Sequence, residues 1–164
     1  MKDLGKAKKV LGMEIERDWR NGKMSLTQKG YLQKILQRFN IDDDTKSIST
    51  PLAPHFKLNA TISPTIVEEH EYMTRVPYTS AVGGLMYVMV CIRPDFSQAV
   101  SIISRYMHDP GKGHWEAVKW VLRYIKVTID VGLLFEKDST GNQECIGYVD
   151  SDYTGELDKR WSTS

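Results

Sequence analysis

Residues 9–26, KVLGMEIERDWRNGKMSL, decide how the chain begins to fold. Leu11, Met13 and Ile15 alternate with Gly12, Glu14 and Glu16, the period of a half-buried strand, and Met24 and Leu26 resume the alternation beyond Asn21-Gly22. Asn-Gly readily adopts the positive φ values of a type I′ turn, so the stretch predicts a β-hairpin. Thr27 then caps a predicted helix in which Tyr31, Leu32, Ile35, Leu36 and Phe39 form one apolar stripe.

Working outward, residues 40–77 hold four of the six prolines among Asp, Ser and Thr, and read as a linker crossing the surface, with a short helical turn at Val67 to Met73 as an option. Residues 78–128 are helical. Tyr78 to Ile92 stops before Pro94, and Asp95 with Gln98 has capping-box spacing ahead of a stripe of Phe96, Ala99, Val100, Ile103 and Met107. A third helix, from about His114 to Lys126, sets Trp115, Val118, Leu122 and Ile125 against a basic face of Lys119, Arg123 and Lys126. Residues 129–164 return to strand chemistry, with Gly132 to Glu136 and Cys145 to Val149 flanking a polar turn. The expected class is α+β: a hairpin plus helix over 1–39, a linker, a small bundle and an incomplete sheet.

Composition excludes more than it assigns. The formal charge of +1 gives no overall field for nucleic acid or membrane, and 41% hydrophobic residues suit one globular domain. No apolar run reaches membrane-spanning length and no signal peptide precedes the fold, so an intracellular setting, cytoplasm or nucleus, is expected. Cys91 and Cys145 lack metal-site spacing. The four histidines read as ordinary surface or capping residues, and Gly83-Gly84 reads as a close-packing site in an apolar helix, since no phosphate-loop Lys follows it. Asp150-Ser151-Asp152 could offer carboxylates to a divalent cation, although Asp also serves turns; the cationic row on the third helix could follow phosphates or simply meet solvent.

In order, the strings LGMEI (11–15), LTQKGY (26–31), STPL (49–52), SAVGGLMY (80–87), RPD (93–95), HWEAVKW (114–120), LRY (122–124) and YVDSDY (148–153) resemble the polyprotein of copia-type LTR retrotransposons, from the end of the reverse transcriptase to the start of RNase H. The resemblance implies that Gly12, Met13 and Glu14 belong to a primer grip, that residues 78–126 form a thumb- and connection-like region tracking an RNA–DNA or DNA duplex, and that Asp150 is the first Mg2+-binding carboxylate of RNase H. It places the polymerase carboxylates upstream of this chain and the remaining RNase H carboxylates downstream. The chain would then hold primer–template in the parent enzyme while being inactive alone, with the missing palm and RNase H segments as partners and self-association as a consequence of their loss. A co-opted, non-catalytic binding module is the alternative. Against the family pattern, Val127 stands where a helix-ending Gly is usual, which puts the following loop in doubt.

Overall fold

Leu11 and Gly12 both have positive φ, 48° and 76°, the pair of values that a two-residue type I′ turn demands. They join β1 (Lys9–Val10) to β2 (Met13–Asp18), with Val10 opposite Met13. The computed structural model describes residues 5–41, 46–59, 62–64 and 66–137. The primed turn expected at Asn21-Gly22 is therefore one hairpin earlier. At the expected place stands a four-residue loop, Trp19 to Gly22, because Asp18 pairs with Lys23 at its base. Asp18 supports that loop by accepting hydrogen bonds from the Arg20 and Asn21 amides at 3.0 and 3.2 Å.

β2 pairs antiparallel with β3 (Lys23–Thr27), and β3 pairs on its other side with β4 (Leu133–Glu136), giving the order β1-β2-β3-β4. From sequence, the β4 run pairs with Cys145 to Val149; its described partner is β3, while residues 145–149 lie outside the described residues. Gly132 permits the close approach, since a Cβ there would lie 2.2 Å from the Leu26 carbonyl oxygen.

The helix α1 (Lys29–Arg38) leaves β3 almost at once, so Thr27 is a strand residue opposite Glu14 and caps nothing. Its C-terminus closes as a Schellman motif: Asn40 has φ 54°, the Ile41 amide donates to Leu36 O at 2.9 Å and the Asn40 amide to Gln37 O at 3.2 Å. The described part of the segment after it is fastened to the helices. Trp120 Nε1 donates to Thr50 O at 3.0 Å, Tyr106 donates its hydroxyl to Leu58 O at 3.1 Å, and Ala53 and Leu58 are buried. The optional helical turn is a helix, α2 (Val67–Thr74).

The core lies between α1, α3 (Tyr78–Cys91), α4 (Ser97–Ser104) and α5 (Lys112–Val127), with a 3₁₀ turn at Pro94–Phe96. Leu32, Leu85, Phe96, Ile103, Val118 and Leu122 are all fully enclosed there, each contributing about 1.5–3 kcal/mol by leaving water. Gly84 meets α1, where an added Cβ would touch Ile35 at 3.4 Å, whereas Gly83 faces open space. Val127 needs no left-handed conformation: among the described non-glycine residues only Leu11 and Asn40 have positive φ, and Val127 ends α5 as an ordinary helical residue.

Candidate nucleic-acid interface

The β1–β2 turn lies at the surface, with Leu11 73% exposed. It is held from behind by Tyr87 on α3, whose hydroxyl donates to the Leu11 carbonyl. Tyr87 is itself braced edge-on by Tyr31 of α1, ring centroids 5.2 Å apart. An L-residue in the left-handed region costs about 1–2 kcal/mol, so this anchor stabilises a conformation that Leu11 alone disfavours. Met13 is half-buried, and so is Glu14. Its carboxylate lies 3.6 Å from the Lys9 ammonium and against Gly30 in the first turn of α1, where the helix dipole favours negative charge.

On α5, Lys119, Arg123 and Lys126 follow one another at spacings of four and three, all half-buried along their stems. Lys119 pairs with Glu116 one turn back, and Arg123 Nε is enclosed with no hydrogen-bond partner among the described residues. The face is thus a cationic row partly engaged by the protein itself. Asp150 lies outside the described residues, and among these no group of three His, Cys, Asp or Glu side chains could hold a metal ion.

Sequence reasoning missed Arg93. Its guanidinium is fully buried, makes two bonds to Asp95 at 2.8 and 2.7 Å, and donates to the Thr128 carbonyl and hydroxyl at 2.9 and 2.7 Å. Tyr124 donates to the same Asp95 at 2.8 Å. Burial pushes the Asp95 carboxyl up, but the bonds from Arg93 and Tyr124 and the Arg93 charge outweigh it and hold it below the ordinary carboxylate value. Asp95 is therefore the acceptor of a clamp joining the end of α3 to the end of α5, and α4 has no side-chain cap. The Arg-Pro-Asp string was visible; its partner Thr128 is set by tertiary packing.

His114 fits the capping expectation, although it is buried. Nδ1 accepts the Gly111 amide at 2.9 Å and Nε2 faces the Asn59 carbonyl at 3.2 Å, an arrangement that suits the neutral ring with its proton on Nε2. A concavity of about 530 Å³ lies beside β2 and is bordered by Lys6, Lys8, Arg17 and Trp19 among others, with the Lys6 ammonium 4.5 Å above the Trp19 ring. Among the described residues no helix is long and apolar enough to cross a membrane.

Over 166 aligned residues the whole chain is 48% identical to the retrovirus-related Pol polyprotein from transposon TNT 1-94 of Nicotiana tabacum, and it spans 12% of that polyprotein. An uncharacterized mitochondrial protein of Arabidopsis thaliana is 36% identical across the whole chain, which spans 63% of it. A protein of Plasmopara viticola named secreted RxLR effector protein 161 is 46% identical over 92 residues, 56% of this chain and 63% of its own length. No protein-family model and no solved structure matches.

Proposed function

Because this chain belongs to the retrovirus-related Pol polyproteins of transposons, of which it spans a stretch, we propose that it is the copia-type segment running from the end of the reverse transcriptase into the start of RNase H. In the parent enzyme its task is to hold primer–template nucleic acid, and by itself it is catalytically inactive. The observation that carries this reading is the Leu11-Gly12 turn: an exposed, tight, two-residue bend, fixed by Tyr87 through the Leu11 carbonyl. Backbone groups of this kind position a nucleic acid strand without reading its sequence. Lys119, Arg123 and Lys126 add phosphate contacts along the duplex, each released by salt. Mg2+ belongs to the parent enzyme, where Asp150 would be one of several carboxylate ligands that other polyprotein segments complete.

The test is fluorescence anisotropy of an RNA–DNA hybrid against salt. We expect weak binding that falls as salt rises, and a smaller salt slope, by up to about three phosphates, when Lys119, Arg123 and Lys126 are all replaced by Glu. An unchanged slope removes α5 from the interface. Magnesium-dependent primer extension by the purified chain alone would overturn the assignment of inactivity.

A second reading, a co-opted non-catalytic binding or interaction module, draws support from the identity to an oomycete protein named as a secreted effector. Hybrid binding below that of an unrelated protein of equal charge would favour it.

A further inference from the structure

Only two hydroxyl residues of the chain precede a proline, Thr50 before Pro51 and Ser63 before Pro64. Proline withholds an amide donor and biases the residue before it to extended backbone, the form in which a peptide lies in the cleft of a proline-directed protein kinase. The fold separates the two. Ser63 is half-buried, donates its hydroxyl to Asp109 O at 2.8 Å, and is followed by a buried Pro64. Thr50 is exposed in irregular backbone, and it is held through its carbonyl rather than its hydroxyl: the carbonyl accepts from Trp120 Nε1 at 3.0 Å.

That anchor stands on the cationic side of α5. Arg123 follows Trp120 by three residues, so the two are neighbours on the helix, with Cβ atoms about 5–6 Å apart. A long helical side chain leans over the turn before it, which for Arg123 is the turn of Lys119 and Trp120. Arg123 pairs with no carboxylate among the described residues and its Nε makes no hydrogen bond there, whereas the Lys119 ammonium is shared with Glu116. An unpaired guanidinium near an exposed threonine is the arrangement that a phosphate completes, since it brings about −1.5 to −2 charge and three strong acceptor oxygens. We infer that Thr50 is a phosphorylation site whose phosphate docks on Arg123 and Lys119 and pins the segment after α1 to α5. The γ-phosphoryl group of a nucleoside triphosphate passes to Thr50 Oγ1. The Oγ1–P bond forms as the bond to the leaving nucleoside diphosphate breaks, and the hydroxyl proton goes to the base of the kinase. The inference stands without nucleic acid; where the reading of α5 above holds, phosphate on Thr50 competes with the duplex for the same cations.

The experiment treats the full 164-residue chain with magnesium ATP and a purified proline-directed kinase, and maps the product by tandem mass spectrometry. We expect one phosphate per chain, on Thr50, with Ser63 modified at least tenfold more slowly and no incorporation by Thr50→Val. Docking is read by ³¹P NMR against pH. Neighbouring cations favour the dianion, so the phosphothreonine of the chain should titrate about one pH unit below that of a phosphorylated peptide of residues 47–54. Arg123→Gln, and separately Lys119→Gln, should return it toward the peptide, and Lys23→Gln on β3 should not. Absence of incorporation, modification of Ser63 as fast as Thr50, or a titration that neither α5 variant moves overturns the inference. The assay contains no nucleic acid, so its failure leaves hybrid binding untouched, and the reverse.

Discussion

The bundle and the sheet obey the same patterning rules and reach opposite ends. In α1, α3, α4 and α5 each apolar stripe meets another, and residues such as Leu85, Phe96 and Leu122 are wholly enclosed. In β2 and β3 polar and apolar residues also alternate, yet no residue of β1 to β4 is fully buried. Amphipathic pattern alone therefore states which side wants cover, and a second layer must supply it. The sheet is attached by its joints to α1 and α5, by Tyr87 on Leu11 and by the ion pair Lys29–Asp130 at 2.6 Å.

The largest test of that contrast is a pair of truncations. Leu122→Ala should cost about 3–5 kcal/mol by leaving a cavity in a packed core, read as a fall in the denaturant midpoint. Leu26→Ala should change the same midpoint by less than about 1 kcal/mol, since its site is already half open. Comparable losses would show the two layers to be one cooperative body.

Next in size is Arg93→Met, which strands Asp95 and should cost about 3 kcal/mol by calorimetry, as breaking a buried pair does. The sign with pH follows from the lowered Asp95 value. Its folded carboxyl loses the proton more readily than the unfolded one, so its stabilisation is complete above the ordinary carboxylate range and is lost as pH falls through the lowered folded value. Acid titration of stability should accordingly be shallower in Arg93→Met than in the wild type.

Smaller still is Tyr87→Phe, which removes one hydrogen bond worth about 1 kcal/mol. Hydrogen exchange should quicken at the amides of Met13 to Arg17 and stay unchanged in α5. At the bottom of the scale, Leu11→Gly removes a left-handed side chain; relief of strain and added unfolded-state entropy nearly cancel, leaving a net change within about 1 kcal/mol. The midpoint should move little in either direction.

Much of this was legible in residue order. The strand period, the helical stripes of α1 and α5, the break at Pro94, and the row Lys119, Arg123, Lys126 all depend on local spacing and stand where spacing put them. The stripe of α4 is shorter than its spacing implied, with Phe96 in the 3₁₀ turn and Met107 beyond Ser104. The turn was misplaced because Asn21-Gly22 has the stronger local preference, whereas Leu11-Gly12 is held by Tyr87 from another element. The pairing of β4 with β3 and the Arg93–Thr128 bonds were hidden for the same reason: each joins parts of the chain whose proximity only the packed helices create. Asp95 looked like a cap because its spacing to Gln98 was right; the guanidinium two residues earlier outcompeted the backbone for its oxygens.

In the order β1-β2-β3-β4 the inner ladder between β3 and β4 joins residues on either side of all the described helices. The chain leaves β3 at Thr27, passes through α1 to α5 and returns to the strand it left. Closing so long an excursion costs loop entropy before the pairing rewards it, so this ladder forms late in folding, after the helices have brought its strands together.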